Sequence, residues 1–111
     1  MANTFKSYTK ASVTNSLTDV YTTPGATTTI VIGICLTNST GSGTVNASVK
    51  VDKANGALGD VWLIRNVTLY DASSFTLADT GKIILETGDK LQVISDTPTS
   101  IDVITSVLEQ S

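Results

Sequence analysis

An all-β fold, built as a single antiparallel β-sandwich of about nine strands, is what this sequence predicts, on three observations. Thr and Ser together make up more than a quarter of the 111 residues, and Val and Ile are frequent. Branching at Cβ restricts χ1 and suits a pleated surface better than a helix. Apolar residues recur with period two along most of the chain, not with the 3.6 of a helix. Clusters of Gly, Pro, Asn and Asp then divide the chain at intervals of about 8–12 residues, as in a sandwich or barrel.

The first strand runs over Thr4–Val13, with Phe5, Ser7, Thr9, Ala11 and Val13 on one face and Lys6, Tyr8 and Lys10 on the other. A turn at Asn15-Ser16 leads into Leu17–Thr22. Pro24-Gly25 is a tight turn in which Pro sets φ at the first corner and Gly takes the positive φ at the second. Thr27–Thr37 is the most apolar strand, with Ile30, Ile32, Ile34 and Leu36 on one face and Val31, Gly33 and Cys35 on the other. Apolar residues on both faces place it centrally or under a partner. After the turn cluster Asn38–Gly43, Thr44–Val51 directs Val45, Ala47, Val49 and Val51 inward.

The loop Asp52–Asp60 carries Asn55-Gly56 and Gly59, and Val61–Tyr70 is a long strand. Its alternation puts Val61, Leu63, Val67 and Leu69 on one face, with Arg65 among them, and Trp62, Ile64 and Tyr70 on the other. Turns at Asp71–Ser74, Ala78–Gly81 and Thr87-Gly88-Asp89 lead into short strands at Phe75–Leu77, Lys82–Leu85 and Lys90–Ser95. Ser100–Gln110 is the best helix candidate, yet Ile101, Val103 and Val107 also fit a strand, and it is counted as the ninth. Jelly-roll and immunoglobulin-like connections both suit such a series.

Residues 1–111 read as one domain, long enough to bury roughly two-thirds of its unfolded surface without metals or disulfides. Charged residues are 15% of the chain, against a usual figure of about 25%, and the net charge is −3. A surface rich in Thr, Ser and Asn repels itself weakly and suits a protein packed among neighbours. The seven basic residues Lys6, Lys10, Lys50, Lys53, Arg65, Lys82 and Lys90 are scattered, so the basic stripe that nucleic acid requires is missing. The N-terminus has no apolar signal core, and no apolar run approaches a membrane span. Sequons begin at Asn38, Asn46 and Asn66, and in so Asn-, Ser- and Thr-rich a chain they read as chance.

The chain contains no histidine. That removes the commonest general base, the Ser–His–Asp and Cys–His arrangements, and imidazole metal sites. One cysteine, Cys35, can form neither an intrachain disulfide nor a thiolate zinc site, and reads as a buried, inert thiol. No glycine-rich phosphate loop occurs. Ten carboxylates remain: Asp19, Asp52, Asp60, Asp71, Asp79, Glu86, Asp89, Asp96, Asp102 and Glu109. Most adjoin turn residues, where Asp bonds its own backbone. The loop Asp52–Asp60 lacks the alternating ligands and closing Glu of a calcium loop. The expectation is therefore a non-enzyme with no catalytic, cofactor-binding or metal-binding residues and no cofactor.

Three blocks, in order, carry a resemblance. Val20-Tyr21-Thr22-Thr23-Pro24 precedes the apolar strand Thr27–Leu36 and Asn38; Phe75-Thr76-Leu77 precedes Leu85-Glu86-Thr87-Gly88-Asp89-Lys90-Leu91; and Ser106-Val107-Leu108-Glu109 closes the chain. Together they resemble the small virion structural proteins of tailed phages, including those of cyanobacteria. The resemblance implies a capsid decoration (cement) protein that binds the major capsid protein and stabilises the shell. It also implies a homo-oligomer, with a trimer favoured because cement proteins often sit on threefold axes. The place of work is then the virion, assembled in the bacterial host cytoplasm. A neck, tail or fibre component fits the same resemblance. From the residues themselves, Pro24-Gly25 and Gly88-Asp89 read as turns, the second a hairpin, while Leu108 packs and Glu109 caps the last strand in solvent. A reading from another class is a carbohydrate-binding module, with the Asp52–Asp60 loop and Trp62 as its site.

Overall fold

The computed structural model of the chain describes residues 3–40, 43–54, 59–71, 73–77 and 83–110. Among these residues nine strands follow one another: β1 Asn3–Val13, β2 Thr18–Thr22, β3 Thr28–Asn38, β4 Val45–Asp52, β5 Val61–Leu69, β6 Ser74–Leu77, β7 Ile83–Leu85, β8 Lys90–Ser95 and β9 Ile101–Gln110. The C-terminal stretch is thus a strand and not a helix. The turn expected at Ala78–Gly81, with Asp79 and Lys82, lies outside the described residues, as do Asn55-Gly56.

Two antiparallel sheets face each other. One has the order β1-β9-β3-β6, with β7 also pairing β3; the other has the order β2-β8-β4-β5. β6 and β7 share one side of β3, pairing with Ile34–Thr37 and Thr29–Val31 respectively. The chain passes between sheets at most connections, and only β4–β5 is a hairpin of sequence neighbours that pair directly. Thr87-Gly88-Asp89 is therefore a turn from one sheet to the other, and not the expected hairpin.

The core lies between the sheets. Val45, Ala47, Val49 and Val51 point into it from β4, as period two requires, and meet Leu91 and Val93 of β8. The first sheet contributes Val31, Ile34, Leu36, Val103 and Val107, all nearly inaccessible.

Four strands break the simple alternation with an extra residue: in β2 the shift between Asp19 and Tyr21 buries the neighbours Val20 and Tyr21 together, and in β3, β1 and β5 the break corrects the expected faces. In β3 the register shifts between Val31 and Gly33. Thr29 and Val31 are buried before the shift, and Ile34, Leu36 and Asn38 after it, while Ile32 is 44% exposed. One inserted residue exchanges the two faces of everything that follows. In β1 the shift between Lys10 and Val13 includes Ser12 at φ 57°, and it turns Val13 into the core on the opposite parity from Tyr8. In β5, Asn66 at φ 56° marks the irregularity that brings both Ile64 and Val67 against the core and leaves Val61 exposed.

At the Pro24 turn the positive φ falls on Ala26 (54°) and not on Gly25. Thr99 in the β8–β9 connection is also left-handed, at 54°. A β-branched residue is a marked outlier there.

Candidate functional site

The polar residues singled out by sequence do not gather into a cleft. Instead, four of them are buried joints of the sandwich. Tyr21 lies in β2 of one sheet, and its hydroxyl reaches Glu109 Oε2 of the other sheet at 2.6 Å. The hydroxyl has one proton, which goes to the carboxylate, so Thr29 Oγ1, 2.7 Å away, donates to the Tyr21 oxygen. Tyr8 donates to the same Glu109 oxygen at 3.1 Å, and Lys6 Nζ lies 3.2 Å from Oε1. The Tyr8 and Tyr21 rings pack at 4.7 Å between centroids. The Tyr21 hydroxyl above all holds the Glu109 carboxyl below its usual value, against the opposing effect of burial, and Lys6 and Tyr8 add to this. Burial and the adjacent carboxylate push the Tyr21 phenol upward. Glu109 is therefore inside the protein, and Leu108 sits half-buried on the outer surface, the reverse of the expected arrangement.

Asn38, at the end of β3, donates from Nδ2 to the carbonyls of Leu69 (3.1 Å) and Gly43 (3.0 Å). Its Oδ1 accepts from the Thr40 backbone N–H and hydroxyl. An amide held on both ends and buried is not placed to accept a glycan, in keeping with the chance reading of that sequon.

Asp89 is buried as well. Its carboxylate accepts the backbone N–H groups of Ala54 and Glu86, each at 2.9 Å, and pairs with Lys53. Burial alone would raise its pKa; Lys53 and the two N–H groups outweigh it, and the net direction is down. The joint ties the end of β4 to the turn before β8. Gly88 beside it has φ 86°, and a Cβ there would lie 2.9 Å from the Ala54 Cβ, so this turn requires glycine.

Other carboxylates hold backbone or ion pairs. Asp102 accepts from Ser12 N–H at 2.9 Å, Asp96 from Asn46 N–H and Asp60 from Lys53 N–H, each at 3.0 Å. Asp60 thus serves its loop and pairs with Lys50. No group of three or more potential metal ligands occurs among the described residues. No helix among them is long and apolar enough to cross a membrane.

The two outer faces differ sharply. On the β2-β8-β4-β5 sheet, Asp19 pairs with Lys90 at 3.4 Å, Lys50 with Asp60 at 3.3 Å, and the Arg65 guanidinium lies 4.1 Å from the centre of the Trp62 ring. Trp62 borders a groove of about 220 Å³ with Asn46, Ser48, Asn66 and Ile94. Its polar groups are largely engaged with one another: Ser48 Oγ accepts Asn66 N–H at 2.8 Å and Asn46 Oδ1 accepts the Thr68 hydroxyl at 3.0 Å. The indole is thus outside the core but stacked by a cation.

The outer face of the other sheet is neutral. Register pairs Phe5 with Leu108, Leu108 with Ile30, and Ile30 with Ile84, an apolar row across β1, β9, β3 and β7. Phe5 is 75% exposed and Ile84 59%. A second row, Thr9–Ile104–Cys35–Thr76, runs further along the strands. Cys35 is therefore only half-buried, on the outer side of β3, and not in the core. Among the described residues, register places one charged side chain on this face, Asp102, and Lys10 of opposite charge lines the groove beside it. Sequence reading missed the row because its members come from four separated segments.

No family model and no curated protein matches this chain. Solved structures share its fold. It is similar to a chain of the Bacillus endospore appendages, described as disulfide-linked pili (TM-score 0.53, 11% identity, covering 99% of this chain and 87% of that one). It is similar to a chain of the IBDV viral particle (TM-score 0.58, 9% identity), covering 96% of this chain but spanning 30% of the viral one. A chain from the acid-stable capsid of the Helicobacter pylori bacteriophage KHP30 also matches (TM-score 0.53, 12% identity, 98% of this chain and 87% of that one). The β-sandwich of this chain is thus a fold that also occurs in virus and phage capsid structures and in a pilus.

Proposed function

We propose that the protein is a non-enzymatic structural component of a phage particle, a decoration protein that binds the major capsid protein and works as a homo-oligomer. The observation that carries this reading is the division of the surface into one charged face and one neutral, apolar-striped face. Exposed apolar surface rimmed by polar residues marks contact with other proteins. The motif order from Tyr21 to Glu109 supports it, since its polar members are the joints that keep two sheets in register. Solved relatives in fold that come from a phage capsid and a virus particle are in keeping with it. A sandwich whose Asp60, Asp89, Asp96, Asp102 and Glu109 carboxylates hold backbone N–H groups, hydroxyls or ion pairs is suited to bearing load.

Quantitative mass spectrometry of purified particles tests the proposal. A decoration protein appears in a fixed, high ratio to the shell protein, and particles stripped of it rupture more readily. A handful of copies per particle assigns it to the neck, tail or fibre instead. Absence from the particle contradicts the whole reading.

A further inference from the structure

We infer that the neutral face of the β1-β9-β3-β6 sheet is where two copies of this chain pack against each other, sheet on sheet, about a twofold axis parallel to the strands. The inference rests on the assembly reading above and adds the surface and its occupant. Four strands spaced by about 4.8 Å, over some nine residues at about 3.3 Å each, present a plane of about 600 Å² before side-chain relief. That is the scale of one partner's share, about 800 Å², in a standard stable interface.

Charge argues for a second copy as the occupant. A partner with a charged surface would bury its charges against Phe5, Leu108, Ile30 and Ile84 with nothing to pair them, at a large desolvation cost. The neutral face satisfies itself. The choice of axis follows from the positions of the residues. Rotation about an axis along the strands overlays the full length of both sheets, with Phe5 over Ile84, Leu108 over Ile30, and Ile104 over Cys35. Asp102 then lies over Thr37 and not over its own copy, so no like charges meet. An axis along the apolar row would overlap only the sheet ends, because Phe5 is two residues from the start of β1. The pair is isologous, so the predicted state is two, and not the three that the sequence resemblance implies.

Sedimentation of the purified chain from low to high micromolar concentration tests this, alongside Phe5→Lys, Ile84→Lys and, on the charged face, Gln92→Lys. All three positions are outside the core, and circular dichroism confirms folding. The expected result is a dimer for the native chain and Gln92→Lys, and folded monomers for Phe5→Lys and Ile84→Lys. A native chain that stays monomeric, forms a trimer, or keeps its dimer in both face variants overturns the inference. Mass spectrometry of particles fails independently: a particle-borne monomer sinks the pairing and leaves the virion role standing, whereas a dimer absent from particles does the reverse.

Discussion

At the scale of single residues, the protein places its buried polar groups where they join distant segments. Glu109 and Tyr21 are 88 residues apart in sequence and share a 2.6 Å hydrogen bond. Because Glu109 titrates below its usual value of 4.5, the unfolded chain binds more protons than the folded one in the acid range. The stability it contributes is fully present above about pH 4.5 and is lost as pH falls through the folded value. Denaturant melts between pH 7 and 3 should show the native chain losing stability more steeply than Glu109→Gln. At neutral pH the substitution should cost about 1.5–3 kcal/mol, the range for hydrogen bonds to a charged group. A contrasting case is Thr23, whose buried hydroxyl has no partner among the described residues. Thr23→Val should raise stability by about 1 kcal/mol in the same assay, since it removes an unpaired polar atom at similar volume. The interior position of Glu109 was not legible in sequence. A terminal Glu beside Leu reads as solvent-facing until the partner strand is known.

At the scale of elements, all nine strands were legible, because β-branched alternation and turn residues act locally. The faces were not. A bulge adds one residue and inverts every side chain beyond it, and neither Ser12 nor Ile32 announces one by type. Asn66 is the exception in kind, since Asn tolerates the left-handed region. The same blindness moved the positive φ from Gly25 to Ala26. Strain at these turns is open to measurement. Ala26→Gly and Thr99→Gly should each stabilise the protein by about 0.5–1 kcal/mol, the left-handed penalty less the added entropy of glycine. Gly88→Ala should do the opposite and destabilise by at least about 1 kcal/mol, since it meets both the positive φ and the Ala54 Cβ. Thermal melts of the three variants read out all of these signs.

At the scale of the whole molecule, the low charge and high Thr/Ser content anticipated a protein packed among neighbours, but composition has no direction. Topology supplies it. Only when β1, β9, β3 and β7 lie side by side do Phe5, Leu108, Ile30 and Ile84 form one row, while Lys50, Arg65 and Lys90 collect on the opposite sheet. The single cysteine reports on that division directly, since Cys35 lies half-exposed on the neutral face beside Ile104. The decisive measurement is the rate of Cys35 alkylation as protein concentration rises, compared with that of a thiol placed on the charged face by Gln92→Cys in a Cys35→Ser background. Burial of the neutral face between copies predicts that Cys35 slows with concentration and that Ile84→Lys restores its rate, while the thiol at position 92 reacts unchanged. A Cys35 rate independent of concentration, or equal slowing at both positions, would contradict it.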